Sequence, residues 1–379
     1  MTAKERMEAA FSAEGSHEFP VVLCYEDIFY RDHWQSFVSP WWHNRHNNME
    51  KRLQWHRELV HSTGQDWMTV PLYGYSAEAW QADPGYRMEL GESGPMRVNL
   101  LTGDRQPLQS PQVSGAAIVN EIKKNQAKEE IESFPQLDEL IPLPQKSSTV
   151  EASQPWLAHN RMLHEFDDYF KVGRVSSPLW MCALLWGYED YLVAVATRPE
   201  LLQHACERYL HIVESEIRGL KALGAQAIWI EECFTDLISP ESFKSLNMPV
   251  LSQLIEIIHG HGLKSIYYFT GDPRGKLSMI LQTNSDGLSF EEGKKGFSND
   301  IAGLVQAIDG KSTLLGNLDA IGVLQNGSEE ELQAAIFEQI QAGRRNKDRF
   351  IISLGSPVTP QTSLQRTRLY CKLAHELGK

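Results

Sequence analysis

Roughly the C-terminal half of the chain alternates short apolar runs with amphipathic stretches of about 10 to 20 residues, and that period leaves few architectures open. Apolar runs at 227–231, 264–269, 286–290, 312–316 and 349–353 read as strands, and the stretches at 240–259, 273–282, 299–308, 329–342 and 363–377 read as the helices between them. Repeated strand–helix units build a parallel sheet. Upstream, 19–24, 66–71 and 171–176 are further strands, with a helix over 49–62 between the first two. Eight strands, each followed by a helix, is the count of a (β/α)8 TIM barrel, whose active site lies at the C-terminal strand ends.

One interval breaks the period. Residues 86–108 alternate loosely around Gly-Glu-Ser-Gly and Thr-Gly-Asp turns, as a β-hairpin does, and 127–151 is polar with several prolines. The expectation is a single domain over 1–379, with about 77–160 as an insertion between strands 2 and 3 that covers the barrel mouth.

At 379 residues and 42% hydrophobic content the chain can bury a large core. Its net charge of −13 comes without a Lys/Arg cluster, which argues against nucleic acid or an anionic membrane as partner. No window approaches the roughly 18 apolar residues of a membrane span, and the opening MTAKERMEAAFSAEG reads as a short amphipathic helix rather than a signal peptide. The five scattered cysteines lack a CxxC pair, which fits reduced cytoplasmic thiols.

The stretch AIWIEECFTDLISPESF ends a strand in Glu231, Glu232 and Cys233 and starts a helix at Ser239-Pro240-Glu241, where a hydroxyl cap, a proline of fitting φ and an acid at the dipole's positive end coincide. The two carboxylates therefore fall at a catalytic strand end, and alternation lets only one of them face the barrel interior. Asp272, Glu291, Asn317 and Asp319 follow later strands, and Tyr25, Trp42, His43 and Tyr73 supply aromatic walls near the mouth. Each has a plainer reading. Cys233 reads first as a small buried hydrophobe, Asp272 as a turn former, Asn317 and Asp319 as loop hydrogen-bonding groups, and Trp42–His43 equally as a packed anchor. His259 and His261 fall at the far end of a helix, on the barrel's stability face.

The run GLKALGAQAIWIEECFTDLISPESFKSLNMPVLSQLIEIIHGHGLKSIYYFTGDP, followed by SDGLSFEE, LLGNLD and FIISLGSPVTPQTS, resembles the uroporphyrinogen decarboxylase superfamily from about Val175 onward. The resemblance implies a (β/α)8 barrel and one of two activities, porphyrinogen decarboxylation or methyl transfer with corrinoid proteins. Porphyrinogen decarboxylases carry an arginine-rich segment after the first strand. Here that place is LCYEDIFYRDHWQ, with Arg31 among Glu26, Asp27 and Asp32, and Asp66 lies at the entrance of its strand. Thiol-methylating members bind zinc through a His-x-Cys and a later Cys; the matching positions are Tyr268, Thr270 and Ser356, and hydroxyls are poor zinc ligands.

The resemblance then implies an enzyme moving a methyl group from a small donor, a methoxylated aromatic among the options, to a cobalt(I) corrinoid (cobalamin) on a partner protein. Glu231, Glu232, Asp272 and Asp319 would be catalytic, and Tyr25, Trp42, His43, Tyr73, Cys233, Tyr268, Thr270, Glu291 and Asn317 would bind substrate. A metal held by carboxylates and a homodimer are left open, as are a decarboxylase of a small acid and a catalytically silent binding barrel.

Overall fold

The computed structural model describes residues 1–73, 85–92, 94–116, 130–144, 154–293 and 296–379, without the side chains of 154–158. In chain order the strands are β1 (Trp67–Val70), β2 (Tyr86–Gly91), β3 (Gly94–Asn99), β4 (Arg105–Pro107), β5 (Phe170–Ser176), β6 (Ala227–Glu232), β7 (Lys264–Phe269), β8 (Gly287–Phe290), β9 (Thr313–Leu315) and β10 (Phe350–Ile351). Seven of them form one parallel sheet in the order β1-β5-β6-β7-β8-β9-β10, and β2-β3-β4 form a separate antiparallel sheet.

The chain therefore has an α/β fold built on a curled parallel sheet. Strand 19–24 of the sequence reading is the exception: it contributes one bridge, Val21 to Ile352, instead of a strand. The reason is chemical. Pro20 has no N–H to give, and the N–H groups of Val21 and Leu23 donate to the side chains of Asp66 (2.7 Å) and Gln65 (2.9 Å) instead of to carbonyls. The segment still touches both sheet edges. Val22 donates to the Ile352 carbonyl and Ile352 to that of Pro20, while Asp66 at the foot of β1 donates to that of Val21.

Helices pack on the outside. Pro199–Ala222, the longest, buries a stripe that includes Leu202, Val213 and Ile217. The predicted helix over 240–259 starts where Ser239 caps the Ser242 N–H, but a π turn at Phe243–Asn247 divides it before Met248–Gly260. No single helix is long and apolar enough to cross a membrane among the described residues. All five cysteines are free and buried.

Between β1 and β5 the antiparallel sheet confirms the hairpin over 86–108. Asn47 tethers it, donating to the Tyr86 carbonyl and accepting from the Met88 N–H, each at 2.8 Å. The chain then returns to the helix Glu26–Asp32, where Asp32 accepts the N–H groups of Ser114 and Gly115. Of the polar stretch 127–151, part lies outside the described residues, and Phe134–Leu140 is a short helix.

At the N-terminal ends of the strands, Asp66 is fully buried, ion-paired to Arg6 at 2.6 Å and 3.5 Å from His375. It sits at the foot of the sheet, as its place at the strand entrance predicts. His259, at the same end, pairs with Asp286 at 2.8 Å.

Candidate functional site

The alternation of β6 sorts its residues. Trp229 and Glu231 face the sheet's concave side, while Glu232 faces the helices. Trp229 packs against Trp67 of β1, Tyr268 of β7 and Tyr25, with ring centroids 4.9–5.7 Å apart. These four rings make an aromatic floor. Their polar ends are satisfied: Trp229 Nε1 donates to Tyr25 Oη (3.2 Å), Trp67 Nε1 to the Leu23 carbonyl (3.1 Å), and Tyr268 Oη to the Gly355 carbonyl (3.0 Å).

A charged cluster sits on this floor. Tyr25 adopts a left-handed backbone (φ 56°), a conformation a bulky residue holds only when its surroundings enforce it. That turn ends the Val21–Cys24 segment and begins the helix carrying Glu26 and Asp27. Arg174 of β5 pairs with Asp27 at 2.6 Å and lies 5.1 Å from the centre of the Tyr25 ring. Glu26 Oε1 accepts from the Thr69 N–H at 2.6 Å and from the Thr69 hydroxyl. Burial pushes the Glu26 carboxyl up to about 7, against the pull of Arg174. Burial also raises Glu231, with Arg174 and a hydrogen bond from Tyr25 opposing it.

Beside the cluster lies a cavity of about 240 Å³ at the C-terminal ends of β1 and β5. Glu26, Asp27 and Arg174 give it a polar side, Tyr30 and Tyr73 are its aromatic walls, and Leu59, Met68 and Leu72 contribute apolar surface. Tyr73 is held by stacking on Trp55.

The structure brings part of the predicted set together. Tyr25, Tyr268, Glu231 and Cys233 gather on or next to the aromatic floor, and the Cys233 thiol lies 3.9 Å from Glu231, with its pKa pushed up by burial. Glu291 accepts the Gly271 N–H at 2.9 Å, and the Asn317 amide donates to the Asn299 carbonyl, so both brace loops at the strand ends. Others do local work. Asp272 takes the Arg274 N–H and guanidinium, and Asp319 caps the turn at Ile321 and Gly322. Glu232 is fully buried on the outer side, accepting from Ser177 at 2.6 Å and Tyr267 at 3.4 Å. Trp42 and His43 pack edge-to-face on each other, and both contact the His46 ring, in a turn of their own.

Three residues of the cluster were not foreseen as functional: Glu26, Asp27 and Arg174. The sequence held a faint signal, since two consecutive acids followed the first strand while an arginine interrupted the apolar run of β5. The zinc positions of the thiol-methylating relatives do not fit a metal here. The Tyr268 hydroxyl is committed to Gly355, that of Thr270 donates to the Glu232 carbonyl, and that of Ser356 to Glu292 at 2.7 Å. Neutral hydroxyls already used as donors make poor zinc ligands. Among the described residues, no group of three or more His, Cys, Asp or Glu is arranged to hold an ion.

Gly355 marks a close backbone approach at this mouth. A Cβ there would lie 2.3 Å from the Glu292 nitrogen and 2.4 Å from its Oε2. Gly355→Ala is expected to cost about 1–3 kcal/mol by overpacking. An unchanged urea midpoint in the variant would refute this.

The sequence profile of the family described as Uroporphyrinogen decarboxylase (URO-D) matches residues 134–377, more than half of the chain. The chain belongs to the URO-D family. Among curated URO-D proteins, it is 28% identical over 178 residues to uroporphyrinogen decarboxylase from Thermodesulfovibrio yellowstonii, covering 46% of each chain. It is 23% identical over 188 residues to the chloroplastic uroporphyrinogen decarboxylase 2 of Arabidopsis thaliana, covering 48% of this chain and 44% of that one. The chain thus spans about half the length of the curated relatives it matches. A solved structure described as a methyltransferase from Methanosarcina mazei has the same fold over 99% of both chains, with a TM-score of 0.67 at 18% identity. Within the URO-D family this chain departs from the arginine-rich pattern at its first loop: Arg31 is tied to Asp32 at 3.0 Å and to the Gly115 carbonyl at 2.6 Å.

Proposed function

We propose that this URO-D-family protein is a methyltransferase that takes a methyl group from a small donor, methoxylated aromatics included, and passes it to the cobalt(I) of a corrinoid (cobalamin) carried by a partner protein. The observation that carries this reading is the composition of the cavity. Its walls are aromatic and aliphatic, burial raises its Glu26 carboxyl to about 7, and among the described residues its one lining cation, Arg174, is already paired with Asp27. A porphyrinogen bearing many carboxylates needs several cations, and Arg31 is bound elsewhere. The end-to-end fold likeness to a protein named a methyltransferase supports the same reading.

In this reading the corrinoid is a substrate whose cobalt(I) is the nucleophile and the donor's methyl group the electrophile. The chain's own residues orient the donor against Tyr30 and Tyr73, exclude water with the aromatic floor that Glu231 borders, and offer a carboxyl, Glu26, to the departing atom. Cys233 packs beside Glu231 as a small wall, and Glu291 and Asn317 fix the loops framing the mouth. The described parts of the segment 77–160, residues 85–92, 94–116, 130–144 and 154–160, would frame that mouth, in one cytoplasmic domain; the rest of the segment lies outside the described residues.

The second reading, decarboxylation of a small acid, is favoured by the curated relatives and by the presence of Arg174, which a carboxylate could claim from Asp27. The two separate in one experiment. Purified protein is mixed anaerobically with cobalt(I) cobalamin and a panel of methoxylated aromatics, methylamines and methanol. Growth of the methyl-cobalt(III) absorption with one donor class is the expected result. A flat spectrum across the panel, with carbon dioxide released from a small acid, would replace it with decarboxylation.

A further inference from the structure

We infer that Glu26 is the acid that hands a proton to the leaving oxygen of a donor held in the cavity beside β1, and that this donor is a small uncharged methyl ether. The inference rests on the methyl-transfer reading and adds to it a residue and a substrate class.

The placement of Glu26 is specific. Its carboxyl lines the cavity, is only 3% exposed, and is clamped by two donors from Thr69, so one oxygen is fixed by β1. The groups around it come from every neighbouring element. Cys24 precedes it, Asp27 and Tyr30 share its helix, Thr69 and Tyr73 come from β1 and its extension, His56 from the helix Met49–His61, and Arg174 from β5, with Glu231 of β6 beyond it. Burial favours the neutral carboxylic acid at Glu26 and, in the same cavity, the neutral imidazole at His56. A neutral imidazole is a far weaker acid than a carboxyl, which leaves Glu26 as the proton donor of the cavity.

The same arrangement selects the donor. Arg174 is already paired with Asp27 at 2.6 Å, so an anionic donor would bring a second negative charge to a cation that is already neutralised. A neutral ether adds none and fits the apolar and aromatic walls. Its oxygen needs a proton as it departs, since the three hydroxyl positions near the mouth do not fit a Lewis-acidic metal. The step balances. The methyl carbon bonds to cobalt through the electron pair of cobalt(I), which is oxidised to cobalt(III). The carbon–oxygen bond breaks with its pair on oxygen, and the Glu26 O–H proton moves to that oxygen, giving an alcohol or phenol. The Glu26 carboxylate left behind keeps its Thr69 donors and the field of Arg174 until solvent reprotonates it.

The test uses the full chain, wild type and Glu26→Gln, with cobalt(I) cobalamin and two ethers. With 2-methoxyphenol, whose leaving oxygen needs a proton, the variant is expected to lose about 10²–10⁴-fold in kcat. With pentafluoroanisole, whose leaving oxygen is several pKa units less basic, the loss should stay below about 10-fold. The infrared difference between wild type and variant should also contain a carboxylic-acid carbonyl band at pH 6 that is gone by pH 8.5. Equal losses with both ethers, no loss with either, or no acid band at pH 6 would each overturn the role of Glu26 while leaving methyl transfer standing. A wild-type protein that methylates cobalt from neither ether nor any other donor would instead remove the functional reading, and this role with it.

Discussion

Arg174→Met should be the most destabilising single change at the mouth, costing about 3–5 kcal/mol at pH 8, the range for breaking a buried ion pair from one side. Arg174 and Asp27 are each less than a third exposed, so solvent screens the pair only in part. Without the guanidinium, Asp27, Glu26 and Glu231 face one another with no cation between them. Arg174 lowers the proton affinity of both glutamates, so its removal raises them further above the unfolded-state value. A carboxyl raised by folding contributes stability that is present at low pH and is lost as pH rises. The variant should accordingly recover part of its loss at pH 5, and Asp27→Asn in the same chain should restore more. Urea unfolding at the two pH values measures this, and a loss below about 1 kcal/mol at pH 8 would show that the pair contributes little.

The second large effect comes from Glu232, on the other side of the same strand. Burial raises its carboxyl from the ordinary 4.5 to about 8, although hydrogen bonds from Ser177, Asn247 and Tyr267 oppose the shift. The folded value lies above the unfolded one, so the favourable state is the protonated one. Its contribution is complete below about pH 4.5 and disappears as pH rises through 8, an interval worth roughly 3–5 kcal/mol. Glu232→Gln keeps an oxygen for Ser177 and cannot ionise. Thermal unfolding of the two proteins should agree closely near pH 5 and diverge toward pH 9, with the variant the more stable. Parallel curves across that range would mean that Glu232 is ionised throughout.

Glu232 and its neighbour Glu231 also explain how far the sequence could be read. Two adjacent carboxylates at a strand end mark a barrel mouth, and alternation says that they must part company, but which one turns inward depends on a register that only the neighbouring strands set. The β7 boundaries follow directly from its apolar run, because a strand covered on both faces is apolar almost throughout. The helix Pro178–Trp186 is equally apolar but packs among other helices, and its pattern has no polar face to announce a period. Asp272 and Asp319 carry the signal of a turn or cap, which is the same signal a catalytic acid after a strand would give. The union of Glu26, Asp27 and Arg174 was least legible, since an acid pair in one loop and an arginine in a distant strand acquire meaning only when the sheet curls.

The way Pro20–Leu23 lies against both sheet edges has a further consequence, for assembly. The segment's partner Ile352 comes far later in the chain, so until β10 is made one side of Pro20–Leu23 is bonded to Gln65 and Asp66 while its other side is an uncovered hydrogen-bonding rim. Such rims recruit other strands when left open. The fold gains its protection against that in one late event, when β10 arrives and Ile352 exchanges hydrogen bonds with Pro20 and Val22. Chains halted before β10 would present a bare rim with apolar side chains behind it, and would be the species most prone to aggregate.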